Sequence, residues 1–576
     1  MDLDIHYISG RKQEMKKKNL KILSLVIIVT AFIATGCGNN QDKDAKQSTT
    51  TETTDTSTAD TDVADASKAD DTSGIEVSKA DNTTAKDAAK EVFTQEPVVN
   101  YDVNYTRVSV HDPSVIKADG MYYIFGSHRA WAKSSDLMNW TAFTNNVSTD
   151  YETLLGNIWN SYCKTDSNPN LAGNMWAPDV IYNDTMKKYC MYMSVNGDDY
   201  NSAIVLLTAD SVEGPYSYAG EVVYSGFGSS EERRQASDVY KVLSKDEDMT
   251  RYKSTKDTKI NAIDPSLEYD ADGNLWMSYG SWFGGIYMLK LDTSTGLRDY
   301  SYTYTTEKNL SDEYHGYKIA GGQAVSGEGS YILRIGNYYY MFLSYGGLTA
   351  EGGYQMRIFR SDTIYGPYTD ELGNSSVYTK STNNILGTVG IRLMGSYSFS
   401  GNTEIHVSQG HNSAFVDDDG KIFVVYHTRF AGGKNGIKEA HEVRVQQLFV
   451  NKDGWLVAAP YEYAGETIAD TGYTLEQMTG EYQFVQHLPY FYYHLSGTEP
   501  EGIADTLNIC LNSDFSVTGD VNGTWTYEKG TANMTITIDD VEYKGVFVKA
   551  ATEGEHKEVT TFTALGNNIC VWGSKN

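Results

Sequence analysis

Residues Val110–Ser127 read VHDPSVIKADGMYYIFGS. A carboxylate, Asp112, stands directly before a proline, a turn follows at Asp119-Gly120, and an aromatic run then ends in Gly-Ser. The order returns at Asn261–Ser281 as NAIDPSLEYDADGNLWMSYGS, with Asp264 in the place of Asp112. Outward from these two stretches the same cassette recurs: a polar turn, a strand of Tyr, Phe, Trp and Met, then a small or polar residue. Its five copies are DGMYYIFGS from Asp119, MKKYCMYMSV from Met186, DGNLWMSYGS from Asp272, GNYYYMFLSYG from Gly336 and DGKIFVVYHT from Asp419. A second phrase echoes between them, LLTADSVEGPYSYAG from Leu206 and RIFRSDTIYGPYTDELG from Arg357.

A repeated cassette of short antiparallel strands is the mark of stacked sheets around an axis, because one small sheet cannot bury both its faces alone. The expected fold is all-β, a five-bladed β-propeller over residues 96–467. Beyond it, SDFSVTGDVNGTWTYEKGTANMTITIDDVEYKGVFVKA and EVTTFTALGNNICVWG alternate apolar and polar residues around Asn-Gly and Lys-Gly turns. These read as hairpins of a small C-terminal β-barrel over residues 468–576. The stretches 229–259 and 305–322 are long for propeller loops and are expected to shape a groove.

The N-terminal part is built differently. From Met15, MKKKNLKILSLVIIVTAFIATGC places a cationic run before a short apolar stretch and small residues, the layout of an export signal. Residues 1–37 are read as that signal, with residues 1–14 an over-long start. The residues before Cys37 resemble a bacterial lipoprotein box, with Ala34 where Leu is commoner, which implies lipidation of the Cys37 thiol. Residues 38–95 are Thr, Asp, Ser and Ala with almost no large apolar side chain, a tether that cannot form a core, with a weak helix expected near Ala85–Phe93. The chain is thus expected outside the cell, touching the membrane only through a lipid anchor, as a monomer.

Composition narrows the partners. The 576 residues carry a net charge of -29, which disfavours nucleic acid and anionic membrane, since both need clustered cations. An acidic surface with 44 tyrosines suits a neutral, hydroxyl-rich ligand, though acidity alone also serves solubility. Cys163, Cys190, Cys510 and Cys570 lack zinc spacing. Export permits a disulfide, with Cys510 and Cys570 one pairing; four free thiols are the alternative.

In a propeller the first strand of every blade lines the axis, so Asp112 and Asp264 converge although they lie far apart in sequence. Glu328, in AVSGEGSYIL, and Asp179, in NMWAPDV, also open a cassette. Acids gathered in one pocket push their pKa values apart, one staying ionised while another keeps a proton, as glycosidic hydrolysis requires. Each motif alone is weak, since a lone Asp-Pro is usually only a turn. For sugar binding the candidates are Trp176, Trp282 and Phe283 as flat apolar rings, with Asn261, Ala262, Ile263 and Ser281 beside Asp264. Asp179 reads either as a ligand to sugar or as the anchor of its own turn. The run Asp417–Gly420, DDDG, lacks the glutamate of a calcium-binding EF-hand loop and repeats the hairpin turn instead.

Asp112 in HDPSV, Asp264 in IDPSL and Glu328 in GEGSYI, together with NMWAPDV and GHNSAF, resemble family 43 of the glycoside hydrolases. Within it the chain from Asn104 onward is similar to endo-1,5-α-L-arabinanases that carry an extra C-terminal barrel. The resemblance implies an inverting reaction on arabinan or a related neutral plant polysaccharide. Asp112 would be the general base, Glu328 the general acid, and Asp264 the residue that tunes the acid and orients substrate. Base and acid would stand roughly 6.5–9.5 Å apart to admit water. The resemblance also implies a calcium ion on His411 near the axis; from the residues alone His411 reads as a core histidine. Alternatives are an arabinofuranosidase or xylosidase of the same family, or a glycan-binding propeller without catalysis.

Overall fold

The computed structural model describes residues 103–323, 327–380, 389–465, 468–469, 471–488 and 503–576. Cys37, the tether and the helix expected near 85–93 lie outside the described residues.

The quoted stretch folds as expected. Strand β1 (Ser114–Ala118) turns through Asp119 and Gly120, at φ 50° and 75°, into β2 (Met121–Gly126). Two successive left-handed residues make the tight turn whose twist matches the flanking strands. With β3 (Ala130–Ser134) and β4 (Thr141–Phe143) these form a four-stranded antiparallel sheet. The next sheet holds β5 (Met175–Asn183), β6 (Lys188–Val195), β7 (Ala203–Ala209) and β8 (Ser217–Tyr224). A third holds β9 (Ser266–Tyr269), β10 (Leu275–Tyr279), β11 (Ile286–Leu291), β12 (Ser311–Asp312) and β13 (Gly316–Ala320). Then come β14 (Glu328–Ile335), β15 (Tyr338–Tyr345), β16 (Gln355–Ser361) and the short β17 (Ile391–Arg392). The last set before the C-terminal region is β18 (His406–Val416), β19 (Ile422–Phe430), β20 (His441–Val450) and β21 (Leu456–Ala458).

Four of these sets stand as separate sheets, in a propeller-like arrangement, while β17 meets the C-terminal region through one parallel bridge, Arg392 to Ile569. The first strands pack in series: β1 on β5, β5 on β9, β9 on β14, β14 on β18 and β18 back on β1.

Period-two alternation feeds two cores from one strand. On β6, Met191 and Met193 face the first sheet with Phe125 and Trp131, whereas Cys190 and Tyr192 face the third with Leu275 and Met277. On β10, Trp276 turns the other way, onto Met341 and Phe359. Burial on both faces explains why the cassettes are nearly continuous runs of large side chains, each worth about 1.5–3 kcal/mol when fully covered.

The C-terminal strands are β22 (Gly480–His487), β23 (Leu507–Leu511), β24 (Ser516–Gly519), β25 (Gly523–Tyr527), β26 (Asn533–Ile538), β27 (Val541–Ala551), β28 (Glu558–Gly566) and β29 (Ile569–Lys575). Because β29 pairs with both β28 and β22, the sheet closes on itself as a barrel. One hydrophobic core runs from Phe342 and Val424 in the preceding sheets through Tyr397 and Tyr461 to Phe562 and Trp572 in the barrel. Cys163, Cys190, Cys510 and Cys570 are all free thiols, so the pairing of Cys510 with Cys570 is not formed.

The two long insertions pack against each other. Arg251 and Tyr252 of the first donate to Asp312 of the second, at 2.9 and 3.0 Å.

Candidate active site

Asp112 and Asp264 have φ values of 55° and 57°. A non-glycine residue in the left-handed region costs of order 1–3 kcal/mol and persists only where its surroundings enforce it. Ala177, Trp282, Phe283 and His411 share this conformation, at φ 35°, 51°, 56° and 44°.

What enforces it is a repeated hydrogen bond. The polar residue ending one cassette reaches the backbone N–H at the start of the next set. Ser127 Oγ accepts from Ala177 at 2.8 Å, Ser194 Oγ from Asp264 at 3.0 Å, and Ser344 Oγ from His411 at 2.7 Å. The circuit continues with His427, whose Nδ1 accepts from the Asp112 N–H at 3.4 Å.

The three carboxylates differ in their surroundings. Asp112 is buried; Ser127 donates to Oδ2, while His111 Nδ1 and His411 Nδ1 lie 2.8 and 3.0 Å from Oδ1. Burial pushes this carboxyl up, but His111 and His411 outweigh it and hold its pKa well below the usual carboxylate value. Asp264 is buried too and, among the described residues, accepts a single long hydrogen bond, from the Gly329 N–H at 3.3 Å. Burial, opposed by His411 and reinforced by Glu328 and Asp112, pushes its pKa up to about 7. Glu328 takes three donors: Trp282 Nε1 at 2.6 Å and Ser281 Oγ at 3.2 Å to Oε2, and Tyr354 OH at 2.7 Å to Oε1.

His411 joins the set. Burial pulls its pKa down, but Asp112, Asp264 and Glu328 prevail and raise it to about 10, so the surrounding carboxylates favour a positive charge at this ring, from a proton or from a cation in its place. It packs so closely on Gly329 that an added Cβ there would stand 2.9 Å from the ring, which requires glycine beside Glu328.

Asp112, Asp179, Asp264, His411 and Asn412 line a cavity of about 20 Å³. Asp179 is fully committed, accepting from Ser114 Oγ, from Val180 N at 3.0 Å and from Leu267 N at 2.7 Å, so it ties β1, β5 and β9 together. Burial raises its pKa to about 6. Asn412 Oδ1 is buried without a hydrogen-bond partner among the described residues, and it lines the cavity together with Asp112, whose Oδ1 faces His111 and His411. An unpartnered amide oxygen and buried carboxylates beside a histidine, around so small a space, fit a single hard cation in place of the His411 proton. Among the described residues a second donor group is His111, Asp112 and His427, whose ligand atoms lie within 4.8 Å of one another.

The remaining sequence candidates are not among the residues lining this cavity, although Ser281 contacts Glu328. Ser281 is bridged to Asn261, and Asn261 Nδ2 donates to Asn196 Oδ1 at 2.9 Å. Ala262 and Ile263 are buried; the Ala262 N–H donates to Ser225 Oγ at 2.8 Å, and the Ile263 carbonyl accepts from Gly280. Phe283 meets Tyr200 edge-on at 4.8 Å. Trp176 is half-buried with its indole N–H tied to the Gly173 carbonyl at 2.7 Å. Sequence reading missed Tyr354, His111, His427 and the strand-ending serines. For the serines the signal was present, since each ends a repeated cassette.

Two strained, buried aspartates at one small cavity, with Glu328 close by, suit a hydrolase of the sugar-cleaving type, and the comparisons agree. Residues 105–232 and 222–456 match glycosyl hydrolases family 43, and residues 460–573 match a C-terminal lipocalin-like domain. The chain belongs to glycosyl hydrolases family 43. It is 40% identical over 479 residues, 81% of this chain and 93% of the relative, to an extracellular endo-α-(1→5)-L-arabinanase of Thermotoga petrophila. It is 37% identical over 498 residues, 84% of this chain and 95% of the relative, to extracellular endo-α-(1→5)-L-arabinanase 2 of Bacillus subtilis. The crystal structure of the endo-1,5-α-L-arabinanase from Thermotoga petrophila superposes with a TM-score of 0.67 at 37% identity, covering 82% of this chain and 100% of that one.

Proposed function

We propose that the protein cleaves internal α-1,5-L-arabinofuranosidic bonds of arabinan with inversion. The observation that carries this reading is the contrast between Asp112 and Glu328. Asp112 is held ionised by two histidines, as a base must be, and Glu328 sits among three neutral donors. In this mechanism Asp112 takes a proton from water as the water attacks the anomeric carbon. Glu328 gives its proton to the departing sugar oxygen, so both charges are balanced across one step. Asp264, buried between them electrostatically, orients the sugar and shapes the field on Glu328. Asn261, Ser281, Trp176 and Phe283 form the wall against which the sugar rests, with Ala262, Ile263 and Asp179 holding that wall in place. The named activity of the two relatives, which match over more than four-fifths of the chain, supports arabinan as substrate.

We also propose a calcium ion at the cavity, held by the neutral ring of His411 with Asp112 and Asn412 nearby, the ion taking the place of the His411 proton. When bound, it would supply positive charge that favours the ionised form of neighbouring oxygens. The serial packing of β1, β5, β9, β14 and β18 supports a five-bladed propeller in which β14–β17 is the blade fused to the barrel. Division into a signal at 1–37, a tether at 38–95, the propeller at 96–467 and the barrel at 468–576 follows the change in composition, and Cys37 is the proposed lipid anchor.

The test is incubation with linear arabinan, arabinoxylan and xylan, followed by sizing of products and polarimetry. Oligomers from linear arabinan, released with inverted configuration, are expected, and Glu328→Gln is expected to abolish them. Arabinose alone from arabinoxylan, or xylose from xylan, would replace this reading with a side-group remover or a xylosidase.

A further inference from the structure

The two insertions enclose a cavity of about 140 Å³ outside the active site, lined by Arg251, Asp257, Thr258, Tyr287, Lys308 and Lys318 among others. Lys318, from β13, is 7% exposed. Its ammonium donates at 3.3 Å to the Asp257 carbonyl and, among the described residues, makes no ion pair. Asp312, the buried carboxylate nearby, is occupied by Arg251 and Tyr252. Thr258, 6% exposed, has a buried Oγ1 with no hydrogen-bond partner.

The backbone makes room for this amine. A Cβ on Gly285 would stand 2.6 Å from Lys318 Cε, and one on Gly322 would stand 2.8 Å from Nζ. Two glycines thus cradle a charged group that has three donors and one backbone acceptor. A buried ammonium with unfilled donors is costly, so it calls for acceptors from outside the chain.

We propose that this cavity binds a small carboxylate or oxyanion, with Lys318 as its charged anchor and Thr258 as a hydrogen-bonding neighbour. Arg251 and Lys308 add positive charge on the same lining; Asp257 and Glu307 also border it, which disfavours large polyanions. The volume of about 140 Å³ is several times that of the active-site cavity and enough for phosphate or a single sugar acid. Burial lowers the Lys318 pKa to about 8, so the amine still carries its proton at neutral pH. The site adjoins the active-site wall, since Gly285 follows the turn that presents Trp282 to Glu328.

The experiment measures the thermal midpoint of the full chain against sodium phosphate, sodium galacturonate and arabinose, with ionic strength fixed by sodium chloride. A saturable rise with phosphate or galacturonate is expected, and which of them acts identifies the source as an inorganic oxyanion or a sugar acid. Lys318→Met should raise the half-saturating concentration at least about tenfold. Thr258→Val keeps the charge and should weaken binding by a few-fold, which guards against a Lys318→Met variant that folds poorly. No saturable rise with either anion, an equal rise in Lys318→Met, or a rise with arabinose alone would overturn the proposal.

Discussion

Trp282 Nε1 donates to Glu328 Oε2 at 2.6 Å, from a residue held at φ 51°. Sequence reading had cast this ring as a platform for sugar; the structure gives it a direct hold on the acid. The hold is doubled, because Tyr354 donates to the other oxygen.

Trp282→Phe keeps a ring and removes the donor. A hydrogen bond to an ionisable group is worth about 1.5–3 kcal/mol, so kcat should fall about 10- to 100-fold with KM nearly unchanged. Tyr354→Phe should do the same through the other oxygen. Because both act on one carboxyl, the double variant should lose less than the product of the two losses. Steady-state kinetics on linear arabinan check this, and an unchanged kcat in both single variants would remove them from the acid's support.

Asp179 gives a prediction about pH and stability. Its folded pKa is raised to about 6 by burial, above the ordinary carboxylate value of 3.8. Between those values the folded chain holds a proton that the unfolded chain has lost, so this group's contribution is full below 3.8 and is lost as pH rises to about 6. Asp179→Asn cannot titrate. The stability advantage of the wild type over the variant should therefore shrink from pH 4 to pH 6 and stay level above it, read from denaturant midpoints. A difference independent of pH would contradict the assignment.

Much of this was legible in the sequence, for a physical reason. Period-two burial on both faces forces every inner strand to be a dense aromatic run, so repetition showed itself as repeated spelling. The acids were legible because each opens such a repeat. The strand-ending serines were spelled out as well, but their partners lie in the next cassette 50 to 70 residues away, as with Ser127 and Ala177 or Ser194 and Asp264. No local pattern links residues so separated. Tyr354 and His427 were hidden for the same reason, whereas His111 stands next to Asp112 but carries no pattern of its own, and the cavity at Lys318 needs two insertions to fold against each other before it exists.

The calcium proposal separates two readings of His411. If the ion is resident, chelator-treated protein should lose activity, regain it with calcium, and carry a single calcium per chain by metal analysis. His411→Ala should bind none and should not respond to added calcium. Full activity after exhaustive chelation, with no metal found, would leave His411 as an imidazolium paired to Asp112 and nothing more.

The barrel shares its core with the preceding sheets, and Trp572 lies where they meet. It is fully buried, edge-on to His487 at 4.3 Å and to Tyr397 at 5.0 Å, and Tyr397 in turn donates to the Pro460 carbonyl at 2.7 Å. Trp572→Ala would open a cavity and cost about 3–5 kcal/mol. Trp572→Phe should be far milder, because the indole N–H has no hydrogen-bond partner among the described residues and its removal forfeits only packing. Since one hydrophobic core spans both parts, calorimetry should show a single transition that moves down as a whole in Trp572→Ala. Two transitions, with only the smaller one shifted, would mean that the barrel melts independently and does not buttress the strands that carry the acids.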